Sequence, residues 1–196
     1  MGTEIELKYS AGRDTLAAIR QAVGGDFALT QMRTVYYDTP DGALSARRCT
    51  LRHRQENDRH VCTLKTPAGR GIRGEWEVDC GDIDTALPLL AEASGWPELL
   101  NLTAPGGTEG CGARFTRRSR MVGDGDFTAE LALDEGELLN GVRSMPLSEV
   151  ELELKSGSRE AMERYCAAFA HRFGLTREFK SKFARAKALG MEDSYV

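Results

Sequence analysis

Glu4-Ile5-Glu6-Leu7-Lys8 is the stretch on which the fold turns. In a strand, successive side chains point to opposite faces. Glu4, Glu6 and Lys8 then share one face, and Ile5 and Leu7 share the other. Two carboxylates about 7 Å apart, with an ammonium the same distance further on, make half a site for a hard divalent cation. Alone, the pattern also fits an edge strand with a solvated charged face. Glu149-Val150-Glu151-Leu152-Glu153-Leu154-Lys155 repeats it almost letter for letter, and that recurrence argues for a shared purpose.

Basic stretches lie between the two acidic ones. Arg52 and Arg54 flank His53, and Lys65 ends the run Val61-Cys62-Thr63-Leu64-Lys65. Arg73, Glu75 and Glu77 alternate along another run. Arg117, Arg118 and Arg120 follow Phe115, and Glu130 and Asp134 flank Leu131-Ala132-Leu133. A half-buried sheet sets an apolar face against a mixed polar one. Here the polar face is rich in long charges of both signs. That suits a charged cavity holding metal ions and a polyanion together.

At 196 residues the chain fits one domain, 1–196, with a sizeable core. No apolar run approaches the roughly 18 residues of a transmembrane helix. The start, Met1-Gly2-Thr3-Glu4, is acidic at once and unlike a signal peptide. Gly2 is no myristoylation site on this reading, because Ile5 onward already reads as sheet. Cys49, Cys62, Cys80, Cys111 and Cys166 are scattered, with no Cys-x-x-Cys, which indicates reduced thiols and a cytoplasmic location. His53, His60 and His171 are too separated for a histidine metal cluster. A net charge of -4 argues against general nucleic-acid binding. The expected partner is a small molecule, with no nucleic acid and no membrane, and the protein is expected as a monomer or homodimer.

Local signals fill in the rest. Asp14 is placed to cap a helix bearing Leu16, Ile19 and Val23, stopped by Gly24-Gly25. Strands are expected over 34–38, 50–54, 61–65 and 74–78. Their connections are the turn Thr39-Pro40-Asp41-Gly42, the polar turn Gln55-Glu56-Asn57-Asp58 and a flexible loop from Pro67 to Gly71. A second helix would start at Asp84, hold Pro88 in its first turn and end at Gly95. The stretch from Asn101 to Gly112 reads as a loop. Strands follow over 113–122 and 127–134, with turns at 123–126 and at Glu135-Gly136, before the acidic strand from about Leu147. Ser158 caps a third helix with Met162, Cys166, Phe169 and Phe173 on one stripe, stopped by Gly174. The tail from Lys180 to Arg185 is read as helical. About eight short strands and three substantial helices predict an α+β fold: an eight-stranded antiparallel β-barrel, or tunnel, with a charged interior and helices packed outside.

These residues, in this order, resemble the CYTH superfamily, the triphosphate tunnel metalloenzymes. The likeness rests on Glu4-x-Glu6-x-Lys8, Val35-Tyr36-Tyr37-Asp38-Thr39-Pro40-Asp41, Leu51-Arg52-His53-Arg54 and Thr63-Leu64-Lys65. It continues through Arg117, Leu133-Asp134-Glu135-Gly136, Glu149-Val150-Glu151-Leu152-Glu153 and Ser181-Lys182. It runs from Glu4 to about Ala188 and is nearest to bacterial inorganic triphosphatases. Those often carry a second, helical CHAD domain, for which this chain is too short.

The resemblance implies roles. Glu4 and Glu6 would bind a divalent metal, Mg2+ or Mn2+, with the late carboxylates. Glu149, Glu151 and Glu153 offer two overlapping pairs that share Glu151. Arg52, Arg54, Lys65, Arg117 and Lys182 would grip the triphosphate. Lys8 would sit near the reacting phosphorus, beside Glu4 and Glu6 in the catalytic set. Glu75 and Glu77 match an acidic pair on the tunnel wall, to which Glu130 and Asp134 are added. Arg118 and Arg120 stay open, since a small change of register would swap which faces inward.

The implied reaction is metal-dependent hydrolysis of inorganic triphosphate to pyrophosphate and phosphate by metal-activated water. Phosphoryl transfer asks mainly for positioning and charge stabilisation. Arginine forks suit phosphate, and carboxylates suit hard metals. The alternatives are an organic triphosphate hydrolase acting on thiamine triphosphate or a nucleotide, a class IV adenylyl cyclase, and a non-catalytic polyphosphate-binding module. A nucleotide or thiamine substrate calls for an aromatic surface at the tunnel mouth, and the sequence alone singles out no residue for it.

Overall fold

One antiparallel sheet of ten strands carries the fold in this computed structural model, which describes residues 2–69 and 72–190. The side chains of residues 2–4, 69 and 72 also lie outside the description. In chain order the elements are β1 (Gly2–Glu4), β2 (Glu6–Ser10), α1 (Arg13–Val23), β3 (Ala28–Asp38), α2 (Ala43–Ala46), β4 (Thr50–Glu56), β5 (Arg59–Gly69) and β6 (Ile72–Asp79). Then come α3 (Ile83–Ser94), α4 (Glu98–Thr103), β7 (Thr108–Gly123), β8 (Phe127–Asn140), β9 (Arg143–Gly157), α5 (Arg159–Phe173), β10 (Thr176–Arg177) and α6 (Lys182–Ala188).

The strands are ordered β1-β6-β5-β4-β3-β7-β8-β9-β2-β10. That order does not join up by hydrogen bonds alone. Its first member, β1, pairs with β6 through Glu4↔Arg73, while β2 pairs with β9 through Glu6↔Glu153 and Lys8↔Glu151. Yet β1 and β2 are consecutive pieces of one segment, separated only by Ile5. The Ile5 carbonyl still accepts from the Leu154 N–H at 2.9 Å. One segment thus touches both sides of the sheet and curls it into a tunnel. The expected eight strands become ten because this first strand is split and the two-residue β10 is added.

Alternation then sorts the side chains. Outside, Leu131, Leu133, Val150 and Leu152 pack under Leu16 and Ile19 of α1 and Met162, Cys166 and Phe169 of α5. On another side, Leu51, Cys62 and Leu64 pack under Leu87 and Leu90 of α3 and Leu99 of α4. Each such side chain contributes about 1.5–3 kcal/mol when fully buried. With the apolar positions spent on the outer core, the alternate positions hold the charges inside.

The third core cluster lies on the inner face. Phe183 and Ala186 of α6 pack against Tyr36, Cys111, Ala113, Phe115, Leu138 and Leu147. Tyr36 and Phe183 also belong to the cavity wall, so α6 fills one end of the tunnel. Asn140 and Arg143 hold its end, donating to the Ala186 carbonyl at 3.1 Å and the Leu189 carbonyl at 2.6 Å.

Several local expectations shift. The cap of α3 is Asp82, whose side chain accepts from the Thr85 N–H at 2.8 Å, two residues ahead of Asp84. Pro88 therefore sits beyond the first turn, where it forfeits one helical hydrogen bond. Helix α1 starts at Arg13 after Gly12, and Asp14 acts in the first turn by its charge. The loop expected over 101–112 shrinks to 104–107, because α4 and β7 take the rest. Strand β5 continues through Pro67 and Ala68, and residues 70 and 71 lie outside the described residues. Gln55 and Glu56 are still strand, leaving Asn57 and Asp58 as the turn.

Glu135-Gly136 is no turn. β8 runs through both, opposite Phe115 and Thr116 of β7. A Cβ on Gly136 would meet the Arg114 carbonyl oxygen at 2.2 Å and the Phe115 Cβ at 2.6 Å, so the glycine serves strand approach. The chain turns instead at Gly141-Val142, with Gly141 at φ 57°. Among the described residues, no helix is long and apolar enough to cross a membrane, which says nothing of strands.

Candidate active site

A cavity of about 720 Å³ occupies the end of the tunnel that α6 leaves open. Among the described residues, ten basic side chains line it: Lys8, Arg48, Arg52, Arg54, Lys65, Arg73, Arg117, Lys155, Arg177 and Lys182. Among the described residues, seven carboxylates face them: Glu6, Glu56, Glu75, Glu77, Glu151, Glu153 and Glu178. Strand alternation delivers them in pairs two residues apart, such as Arg52 with Arg54 and Glu151 with Glu153. Long side chains of both signs fit there because most find an opposite charge nearby, as Lys8 finds Glu6 and Lys65 finds Glu75.

The innermost cluster is an ion network around α6. Arg117 donates to both Asp134 oxygens, at 2.8 and 2.7 Å, and to Glu151. Lys182 reaches Asp134 at 2.7 Å, Glu151 at 2.8 Å and Glu149. Arg185 donates to Glu149. Asp134 and Glu149 are completely buried, whereas Glu151 keeps a small exposed area on the cavity. Burial works to raise the Glu151 pKa, but Lys182, Arg117 and Lys8 outweigh it and hold it well below the usual carboxylate range. For Glu149 burial wins, and its pKa is raised despite Lys182 and Arg185. Burial opposes the charged forms of Lys182 and Arg117 too, and the surrounding carboxylates overcome it in both.

Toward the opening the pairs loosen. Lys8 lies 3.2 Å from Glu6 and 3.9 Å from Glu151. Burial works against its charge, but Glu6 and Glu151 keep its pKa raised. Arg52 contacts Glu75 and Glu77, each at 3.4 Å, and Lys65 reaches Glu75 at 3.1 Å. Glu77 also accepts from Thr63 at 3.0 Å. Arg54 donates to Thr34 at 3.2 Å, and burial lowers its pKa, with Arg52 and Arg117 adding to the effect. Glu153 pairs with Lys155 at 2.8 Å. Glu130, opposite Glu153 on β8, acts on Arg117 through its charge.

The fold thus gathers Glu6, Lys8, Arg52, Arg54, Lys65, Glu75, Glu77, Arg117, Glu151, Glu153 and Lys182 around one cavity. Glu149 and Asp134 sit behind it, and the Glu4 side chain lies outside the described residues. Neither Arg118 nor Arg120 faces inward. Arg118 lines a separate outer hollow beside α1, and Arg120 donates to the Gly24 carbonyl under α1. Asp38 accepts from the Thr39 and Leu44 N–H groups at 2.9 and 3.0 Å and so orders α2. Lys187 reaches Ser45 at 2.6 Å and ties α6 to α2. Arg185 was the part-buried member that sequence reasoning missed. Its signal was helical spacing, since 182, 185 and 186 share a face.

Asp134, Glu149 and Glu151 each offer a carboxylate oxygen within 4.8 Å of the others. An all-oxygen donor set fits a hard divalent cation. The arrangement sets cations and carboxylates of one tunnel within reach of each other, a chemistry able to bind a compact polyanion.

The chain belongs to the CYTH domain family, whose model matches residues 2–186. An inorganic triphosphatase of Haemophilus influenzae is 31% identical over 125 residues, which is 63% of this chain and 36% of that protein. The chain therefore spans about a third of the length of this curated relative. Among solved structures, HpAC1 from Hippeastrum, named for adenylyl cyclase and described as having a dominant triphosphatase activity, matches with TM-score 0.65 and 21% identity, over 97% of this chain and 96% of that one. PH1819 from Pyrococcus horikoshii matches with TM-score 0.62 and 20% identity, over 96% and 98%. These likenesses show the fold.

Proposed function

We propose that the protein hydrolyses inorganic triphosphate to pyrophosphate and phosphate, using Mg2+ or Mn2+, in the cytoplasm. One observation carries the reading: Lys8, Arg52, Arg54, Lys65, Arg117 and Lys182 line the same cavity as Glu6, Glu151 and Glu153. Family membership and the Haemophilus relative's activity support it.

Arg52, Arg54, Lys65, Arg117 and Lys182 bind the phosphate oxygens, exchanging their present carboxylate partners for the substrate. That exchange frees Glu151 and its neighbours, so the chain can hold anion and cation together. Glu4, Glu6, Glu149, Glu151 and Glu153, with Asp134, are the residues to hold the metal. A bound Mg2+ or Mn2+ supplies Lewis-acid stabilisation of phosphate charge and acidifies a water. Lys8 neutralises charge gathering on the terminal phosphoryl group. The water oxygen forms a new bond to the terminal phosphorus, the anhydride P–O bond breaks, pyrophosphate leaves and a proton passes to solvent. Direct attack by water needs no protein nucleophile, and among the described residues the cavity wall offers no serine–histidine or cysteine–histidine pair.

Phosphate release from inorganic triphosphate, ATP and thiamine triphosphate, each with Mg2+, Mn2+ or EDTA, tests the reading. Fast release from inorganic triphosphate that EDTA stops is expected. No release from any of the three would overturn it.

A further inference from the structure

Arg48 stands in a backbone conformation made for glycine. It follows α2 at φ 57°, in the left-handed region. The helix ends there in a Schellman turn: the Arg48 N–H donates to the Ser45 carbonyl and the Cys49 N–H to the Leu44 carbonyl, each at 2.9 Å. Cys49 and Leu44 are buried in one core cluster, the apolar contact that accompanies this motif. Glycine is the usual residue at such a position, because a Cβ in the left-handed region crowds the following carbonyl. Asn57, at φ 53°, is of a type that takes this region readily. Arginine is not, and the exposed Arg48 side chain recovers nothing by packing in the core.

What the side chain has instead is the charged cavity, whose rim it lines just before β4 begins. Arg73 of β6 holds the Arg48 carbonyl, its Nη2 donating to that oxygen at 3.1 Å and to the Thr50 hydroxyl at 3.2 Å. Arg73 and Thr50 line the same cavity. Turn and clamp together fix where Arg48 starts. Arg52, Lys65 and Lys155 each pair with a glutamate, whereas among the described residues no carboxylate pairs with Arg48. Its guanidinium fork can take phosphate oxygens without first releasing a partner. Backbone strain of this kind gathers at functional sites, where the rest of the structure holds it in place. We propose that Arg48 is a further substrate-binding residue, a rim arginine that takes a phosphate oxygen of the bound triphosphate and for which the strained turn after α2 is kept. This rests on the triphosphatase reading and adds to its phosphate grip a cation that no carboxylate occupies.

The test reads binding of inorganic triphosphate by calorimetry with Ca2+, beside thermal melts, for wild type, Arg48→Gly, Arg48→Ala and Arg48→Lys. Arg48→Gly should bind roughly ten-fold more weakly, the worth of one charge-assisted hydrogen bond, yet melt at or above the wild-type temperature. Arg48→Ala should lose the same affinity without that gain in melting temperature, because its Cβ keeps the strain. Arg48→Lys should recover part of the affinity, since it keeps the charge and lacks the fork. Unchanged affinity in Arg48→Gly would overturn the proposal. A lower melting temperature in Arg48→Gly would do so too, because the side chain would then be bracing the turn. So would Arg48→Lys binding no better than Arg48→Ala, which would take the charge out of the contact. Phosphate release by wild type tests the underlying reading separately: no release, with the Arg48 effect on binding intact, would strike the reaction and leave the binding residue standing.

Discussion

The two acidic stretches look alike in sequence and lie side by side, but they meet different surroundings. β2 and β9 pair antiparallel, so Glu6 faces Glu153, Lys8 faces Glu151, and Ser10 faces Glu149. Moving inward along β9, Glu153 is part-exposed on the cavity, Glu151 sits at its floor, and Glu149 is sealed beneath α6. Three identical side chains thus grade from solvent-screened to completely buried within five residues. A carboxylate's role here is set by its depth in the tunnel, because depth sets both the desolvation it suffers and the number of cations it needs.

The largest effect should fall at the sealed end. Glu149→Gln leaves Arg185 and Lys182 short of a buried partner, and breaking such a pair costs about 3–5 kcal/mol. Denaturant melts should show this, with Glu153→Gln close to wild type in stability. Equal losses in the two variants would erase the depth gradient. Next comes Lys8→Ala, at the boundary, which should lower kcat by about 10²-fold, the order found when one preorganised charge-stabilising donor is removed. An unchanged kcat would take Lys8 out of the reaction.

At the open end, Arg52→Ala should mainly raise KM for triphosphate, by roughly ten-fold, the worth of a charge-assisted hydrogen bond. The smallest effect lies outside the tunnel. His53 and His60 touch at 3.0 Å on the outer face, with Asp82 near. Burial, then His60, lowers the His53 pKa, with Asp82 acting the other way. The folded state therefore binds this proton less readily than the unfolded chain, so stability is full above about pH 6.5 and declines on acidification below it. His53→Gln should flatten that slope in thermal melts without altering turnover.

Much of this was legible in the chain because alternation and order are local or nearly so. The apolar partners Val150 and Leu152 and the charged partners Glu149 and Glu151 separate on spacing alone, and Ser158 and Gly174 bound α5 as read. What stayed hidden was non-local. Nothing near Gly136 says that Arg114 and Phe115 will press against it, so its glycine looked like a turn. Helical spacing puts Lys182, Arg185 and Ala186 on one face, but only the folded sheet shows that this face packs into the tunnel. Nor does the local sequence around Phe179 say that its ring stands at the mouth, since only closure of the sheet makes a mouth.

The most direct test is a Mg2+ titration of phosphate release from inorganic triphosphate by wild type and Glu151→Gln, with folding of both verified by melts. Glu151 is the carboxylate that both touches Lys182 and Arg117 and opens on the cavity. The account predicts metal-dependent release by wild type and a loss of about 10²-fold or more in the folded variant that added Mg2+ does not restore. Near-wild-type release by Glu151→Gln, with the same Mg2+ requirement, would contradict it.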